Sequence, residues 1–327
     1  MSSPSGESSA GPLAARFPAL SAIPRVELGR FPTPVEPLGA LAAKLWIKRD
    51  DLGATPFGGN KVRALEFLLA GVRDGDRVVT VGSAGSTHAL AVATYASALG
   101  ARVIVGRWRQ EMNDTAARIA ARLERAAYET RLFASPLGAY LWAWTRARGA
   151  RWIAAGGSTP LGVLGHVNAG LELADQIARG ETPAPAVVVV PLGTGGTAAG
   201  LALAFAIAGL NAQVLGVRVV PWVVGRRGRV LRLAHRTAAL IERRTGVKLP
   251  AVTPDRMRVV NDAYGGAYGR ETAAARLAAA RLAEATGGGL RLDATYSAKA
   301  FEVALRHASR ESVLFWLTFD PRLLDPR

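Results

Sequence analysis

The chain contains no cysteine in its 327 residues. Disulfides, zinc–thiolate sites, iron–sulfur clusters and thiol nucleophiles are therefore excluded. Histidine is also scarce, and His88, His166, His235 and His307 are not spaced as metal ligands. No acidic residue joins them in an HExxH-like pattern, so no metal site is expected. Acidic residues fall well short of basic ones, 25 against 41, which leaves a formal net charge of +16. Only Lys44, Lys48, Lys61, Lys248 and Lys299 are lysines, so arginine carries nearly all of that excess. A basic balance raises nucleic acid as a partner. The densest patch, Arg226, Arg227, Arg229, Arg232 and Arg236, has no interleaved aromatics on which bases could stack. A solvated arginine face is expected there, and no nucleic acid.

An unbroken apolar run of membrane-spanning length is missing too. The stretch from Thr182 to Val217 has no charged residue, but Pro191 and nearby glycines interrupt it. It reads as a strand (AVVVV), a turn (PLGTGG) and a small-residue helix (TAAGLALAFAIAG), not as a span. The opening segment MSSPSGESSAGPLAARFPAL lacks a basic region followed by an apolar one. It is read as a flexible polar tail over residues 1–17 with no secretory signal, and the protein is expected in the cytoplasm.

Half of the residues are hydrophobic and 20% are charged, a composition that fills a core and excludes disorder of the whole chain. A chain of this length ordinarily divides into two domains, or carries an insertion in one large α/β unit. Strand-like and helix-like segments alternate. LWIKRDD, RVVTVG, ARVIVGRW, AVVVV, QVLGVRVV and SVLFWLTF read as strands. KVRALEFLLAGVRDG, THALAVATYASALG, NDTAARIAARLERAAY and ETAAARLAAARLAEAT read as helices, with Asn113 or Asp114 placed to cap the third. This rhythm predicts α/β architecture with parallel sheets.

Three glycine-rich turns stand at strand-to-helix junctions, where exposed N–H groups and the helix dipole favour anions: PFGGNK (Pro56 to Lys61), GSAGSTH (Gly82 to His88) and GTGGT (Gly193 to Thr197). GTGGTA also fits the loose dinucleotide pattern. That reading expects an acidic residue near the end of the next strand, where VLGVRVVPW offers only Arg218, so just an NADP-binding version survives as an alternative. Lys61 in a glycine-flanked loop suits an amine that must reach a cofactor aldehyde and later act as a base. A solvated lysine at a helix start would read the same way.

The ordered segments FGGNKVRALEFLL, GSAGSTHALAVATYASALGA, GGSTPLGVLGHVNAGLEL, VVPLGTGGTAAGLALA and LDATYSAKA, with IPRVELGRFPTPVEPL upstream, resemble the pyridoxal-phosphate-dependent family of 1-aminocyclopropane-1-carboxylate deaminases and D-cysteine desulfhydrases. The resemblance runs from about Pro24 to Thr318. It implies a tryptophan-synthase-β-like fold of two open parallel-sheet α/β domains. The large cofactor domain would comprise residues 18–62 and 171–327, and the smaller inserted domain residues 63–170. It implies pyridoxal 5'-phosphate as cofactor, a small amino acid as substrate and a homodimer.

By the same resemblance Lys61 is the lysine that bonds the cofactor. Gly193, Thr194, Gly195, Gly196 and Thr197 would cradle its phosphate, and Asn60, Thr87 and Thr318 would contact the rest of it. Ser86, Thr87 and His88 would bind the substrate with His166, and Tyr296 would exchange a proton with it; Lys61, Ser86 and Tyr296 form the catalytic set. Departures from the family pattern are Thr87 for asparagine, Ala64 for a lysine near the phosphate, His166 for tyrosine, Phe319-Asp320 for a glycine pair, and Ser297 where the deaminases carry glutamate. Ala64→Lys is expected to tighten cofactor binding; unchanged affinity would instead point to another basic residue, such as Arg63, in that role. The pair Ser297 and Thr318 offers hydroxyls where ring opening would want a carboxylate, which points to α,β-elimination giving a 2-oxo acid and ammonia. Asp320, if turned toward the cofactor ring, would admit racemisation or transamination instead. A cofactor-binding homologue with altered or lost catalysis is the other alternative.

Overall fold

The computed structural model describes residues 11–325. In chain order the strands are β1 (Val35–Pro37), β2 (Leu45–Arg49), β3 (Arg77–Ser83), β4 (Arg102–Trp108), β5 (Glu129–Phe133), β6 (Arg151–Ile153), β7 (Val187–Leu192), β8 (Gln213–Arg218), β9 (Met257–Val260) and β10 (Val313–Leu317). The helices are α1 (Pro12–Arg16), α2 (Asn60–Leu68), α3 (Thr87–Ala98), α4 (Asp114–Ala126), α5 (Pro136–Arg146), α6 (Pro160–Ala178), α7 (Gly196–Ala208), α8 (Arg227–Thr245), α9 (Ala273–Ala285) and α10 (Ser297–Ala308).

Two sheets form. The six-stranded sheet has the order β1-β2-β10-β7-β8-β9, and the four-stranded sheet the order β5-β4-β3-β6. Every pairing is parallel except that of the edge strand β1 with β2. Parallel strands are covered on both faces, and so β7 reads as a continuous β-branched run, buried from Val187 to Val190. α7 is buried along most of its length, which its alanine-rich composition permits because small side chains let α6 and the sheet approach closely. α4, by contrast, buries only Ala116, Ile119 and Leu123, a single stripe, and Asn113 caps it by accepting the Ala116 N–H at 2.9 Å. Among the described residues no helix is long and apolar enough to cross a membrane.

The tail expected over residues 1–17 is corrected in its later part; residues 1–10 lie outside the described residues. Pro12–Arg16 is helical, with proline at its first turn, a buried Leu13 whose N–H donates to Asn168 Oδ1 at 2.8 Å, and an Arg16–Asp175 ion pair at 2.8 Å. The apolar Leu13 has a place in the core against α6, and that contact orders the segment. The domain limits expected at 62/63 and 170/171 fall within α2 and α6.

A buried ionic cluster joins the elements that flank the cleft. Lys48 on β2 donates to Glu172 Oε1 at 2.5 Å, to Gln176 Oε1 at 2.6 Å and to the Thr33 carbonyl at 2.6 Å. Arg63 on α2 donates to both Asp50 oxygens, at 3.0 and 2.7 Å, and to Glu172 Oε2 at 2.9 Å. Trp316 Nε1 on β10 donates to Asp50 at 2.7 Å. Burial pushes the Asp50 and Glu172 carboxyls up, but the adjacent Arg63 and Lys48 charges outweigh it and hold both below the usual carboxylate range. Because every charge has a partner, removing one strands the others.

Glu172→Ala should therefore destabilise the protein by about 3–5 kcal/mol, read as a lower denaturation midpoint at unchanged m-value. The lowered carboxyl values fix the pH dependence. The unfolded chain binds these protons more readily than the folded one, so the stability from Asp50 and Glu172 is present above the ordinary carboxylate range and lost as pH falls through their lowered values. Glu172→Ala should flatten that acid limb.

Candidate active site

Lys61 is the second residue of α2, and three contacts set the start of that helix. The Gly59 N–H donates to the Asp50 carbonyl at 2.7 Å, and the Asn60 N–H donates to the Thr318 carbonyl at 3.3 Å. Asn60 Nδ2 donates to Thr197 Oγ1 at 2.7 Å, tying α2 to the first turn of α7. Gly59 sits at φ 99°, and a Cβ there would lie 2.6 Å from the Thr318 carbonyl oxygen, so only glycine takes this position without strain. Lys61 emerges half-buried into a cavity of about 790 Å³. Burial alone lowers its ammonium to about 8, which makes the neutral amine readily available.

The cavity collects the strand-to-helix turns of both sheets. On the four-stranded sheet the turn after β3 starts α3, with Ser86 as N-cap accepting the Ala89 N–H at 3.2 Å. The Thr87 and His88 N–H groups have no acceptor among the described residues, so this helix start can receive a carboxylate. On the six-stranded sheet the turn after β7 leads into α7 through Gly195, whose φ of 94° is a left-handed conformation suited to glycine. The N–H groups of residues 194–197 likewise have no acceptor among the described residues, and the Thr194 hydroxyl lies 2.6 Å from Ser158 Oγ. A nest of free N–H groups and hydroxyls at a helix start, facing a buried amine, is the donor set that a phosphorylated aldehyde cofactor requires. The residues present therefore fit pyridoxal phosphate.

Every residue proposed from the sequence for the site lines this one cavity: Asn60, Lys61, Ser86, Thr87, His88, His166, Gly193, Thr194, Gly195, Gly196, Thr197, Tyr296 and Thr318. Their environments keep most of the titratable groups uncharged. Burial first, then the Lys61 charge, lowers His88 to about 3, and its ring lies 3.5 Å from Thr80 Oγ1. Burial and the Lys61 and Arg63 charges likewise hold His166 well below its ordinary value, and its Nδ1 has no partner among the described residues. Tyr296, at the start of α10, donates its N–H to Asp293 Oδ2 at 2.7 Å. Its hydroxyl meets that of Tyr268, which in turn lies 3.4 Å from Ser83 Oγ. Burial, reinforced for Tyr296 by its neighbour, pushes both phenols up, so they stand as proton donors at neutral pH.

Several departures from the family pattern settle differently from their sequence reading. Arg63 cannot replace the charge missing at Ala64, because its guanidinium is held by Asp50 and Glu172. Ser297 does not line the cavity; it is fully buried, its N–H donated to Asp293 at 2.9 Å. Asp320 is likewise turned away, accepting the Gly58 N–H at 2.6 Å and pairing with Arg322. Thr318, directly after β10, does line the cavity. Arg229, read as part of a solvated arginine face, lines the cavity as well. Tyr268 was not anticipated; its one sequence signal is an aromatic flanked by loop glycines in GGAYGR, which does not tell a site residue from a packed one.

Covalent loading of the apo-protein with pyridoxal phosphate should accelerate as pH rises through about 8, since the neutral Lys61 amine is the attacking group. Stopped-flow absorbance reads the rate, and a borohydride-reducible visible band should be missing from Lys61→Ala, which should stay folded because the Lys61 side chain lines the cavity and makes no hydrogen bond or ion pair among the described residues. A flat pH profile, or a reducible band in the variant, removes Lys61 from this assignment.

Residues 26–318 match the family described as pyridoxal-phosphate dependent enzyme. The chain is 37% identical over 329 aligned residues to nocardicin C-9' epimerase of Nocardia uniformis, covering 93% of this chain and 94% of that protein. It is 32% identical to a putative 1-aminocyclopropane-1-carboxylate deaminase of Pyrococcus furiosus, covering 90% and 92%. With the D-cysteine desulfhydrase of Salmonella choleraesuis it shares 31% identity, covering 86% and 87%. A solved structure of a homologue of 1-aminocyclopropane-1-carboxylate deaminase superposes with a TM-score of 0.78 at 28% identity, covering 94% of each chain.

Proposed function

The chain belongs to the pyridoxal-phosphate dependent enzyme family, in the group of 1-aminocyclopropane-1-carboxylate deaminases and D-cysteine desulfhydrases, and from that premise we propose that it catalyses α,β-elimination on an amino acid, releasing a 2-oxo acid and ammonia. The observation that carries this reading is the shared cavity of a burial-neutralised amine, Lys61, and a helix start at Ser86 to His88 with free N–H groups. When bound, pyridoxal phosphate supplies an electron sink for charge that develops at the substrate α-carbon.

The chain's own residues do the rest. The turn at residues 194–197 and the Thr194 and Thr197 hydroxyls hold the phosphate. The Thr87 and His88 N–H groups fix the substrate carboxylate, which orients the α-proton toward Lys61. The neutral Lys61 amine takes that proton, the bond from the β-carbon to the leaving group breaks with its electron pair going to the group, and the Tyr296 phenol protonates it. The released unsaturated amine takes up water to give the 2-oxo acid and ammonia. With Asp320 committed to Gly58 and Arg322, Thr318 would present a hydroxyl and no carboxylate to the cofactor ring, which would keep the sink weak and favour loss of a leaving group over transamination.

Inversion at the α-carbon is a second reading. It is supported by the Tyr268–Tyr296 hydroxyl contact, a second acid–base group beside Lys61, and by the epimerase among the relatives. A homodimer and a cytoplasmic location complete the proposal; light scattering that returns the mass of one chain would remove the dimer.

D- and L-cysteine, serine, β-chloroalanine and 1-aminocyclopropane-1-carboxylate, each incubated with holoenzyme in D2O, separate the readings. Elimination yields 2-oxo acid and ammonia from the β-substituted substrates and very little from the cyclopropane. Inversion yields the opposite enantiomer with deuterium at the α-carbon and no 2-oxo acid. Tyr296→Phe should slow whichever reaction operates by about 10²–10⁴-fold. Fast ring opening, or no product from any compound, would defeat the elimination reading.

A further inference from the structure

An amino-acid head and its cofactor account for the inner part of the cavity, from Lys61 and the two helix starts to Tyr296. The outer part has no task in that arrangement. It is walled by Trp108 and Tyr140 from the four-stranded sheet's side, and by Pro221, Val224 and Arg229 from the other, with Arg109 beside them. Tyr140 stacks on Trp108, with centroids 6.2 Å apart and planes 18° apart, and its other edge meets Trp152 at 6.2 Å. Trp108 and Tyr140 thus give the cavity an aromatic patch, backed by Trp152 outside the lining, and Tyr140 is 39% exposed. Opposite it Arg229 is exposed, and neither Arg229 nor Arg109 forms a salt bridge among the described residues. Arg229 and Tyr140 line the same cavity, and the Arg229 charge acts on the Tyr140 hydroxyl.

The geometry points to a substrate with an extended side arm: a β-substituted alanine, such as a cysteine thioether or serine ether, whose leaving group carries an aromatic ring ending in a carboxylate. The ring would stack on Tyr140 and Trp108, where π-faces give affinity at little entropic cost. The carboxylate would reach Arg229, with Arg109 nearby, for charge-assisted hydrogen bonds. A total volume of about 790 Å³ lies toward the upper part of the usual range for ligand sites and leaves room for such an arm beside the cofactor. The net charge of +16 adds a favourable field for an anionic substrate. This inference rests on the elimination reading, because the arm departs with the leaving group.

Calorimetric titration of holoenzyme with cysteine, S-benzylcysteine and S-(4-carboxybenzyl)cysteine, each as both enantiomers, tests it, with 2-oxo acid measured in parallel. One enantiomer of the carboxybenzyl compound should bind at least about tenfold more tightly than cysteine, with S-benzylcysteine between them. Arg229→Gln should lower the ratio of carboxybenzyl to benzyl affinity by about tenfold, and Tyr140→Ala should lower the ratio of benzyl to unsubstituted affinity. Equal affinity of the three compounds, or ratios that neither variant moves, would overturn the inference while turnover of cysteine upheld elimination. Tight, Arg229-dependent binding of the carboxybenzyl compound without 2-oxo acid would uphold the arm site and overturn elimination. Absence of binding by all three would overturn both.

Discussion

The cluster of Lys48, Asp50, Arg63, Glu172 and Gln176 is the constraint on which the site depends. Lys61 stands two residues before Arg63 on the same helix, and Arg63 is held from β2's end by Asp50 and from α6 by Glu172. Trp316 on β10 is hydrogen-bonded to the same Asp50, and β10 ends at Leu317, directly before Thr318. One group of paired charges thus joins the helix that presents the amine, the strand that ends at the cavity, and the helix that carries His166. Ion pairs of this kind contribute little net stability relative to apolar packing, because desolvation offsets their attraction. Their effect is on placement: an alternative packing of α2 would leave buried charges unpaired.

The same desolvation acts at the reacting centre. Among the described residues no anion pairs with Lys61, so burial is free to lower its ammonium, whereas Arg63, two residues on, is fully charged and fully paired. His88 and His166 are kept neutral by burial and by the cations around them. Tyr268 and Tyr296 hold their protons because burial penalises a phenolate. The cavity therefore holds an amine ready to accept a proton and phenols ready to give one, and the fixed N–H groups of two helix starts are left as its anion sites. A dianionic phosphate placed at residues 194–197 would receive no cation from Ala64 or from Arg63, whose guanidinium is committed elsewhere.

Much of this was legible in the sequence. The alternating β-branched runs and helices, the strand–turn–helix of residues 182–217, and the three glycine-rich turns each follow from local rules of periodicity and backbone sterics, and the parallel sheets bear that reading out. The Asn113 cap was equally visible, because a cap is a contact over three residues. All the proposed site residues converge on one cavity, which reflects the tendency of strand-to-helix turns in parallel sheets to gather at the carboxyl ends of the strands.

What tertiary structure alone decided are the matters that rest on contacts between residues far apart in the chain. Side-chain direction placed Ser297 outside the cavity and Arg229 inside it, the reverse of their sequence reading, and turned Asp320, whose direction the sequence left open, away from it. The partner that immobilises Arg63 lies 109 residues away, and the Tyr268–Tyr296 contact joins a loop to a helix start across 28 residues. The order of residues 12–16 depends on Asn168 and the core beneath α6, more than 150 positions later. Local sequence determined which elements form and which turns can hold an anion, because those choices are made by backbone conformation within a few residues. Which charges are paired, which phenols meet and how far the cavity extends were decided by packing, whose partners no local pattern names.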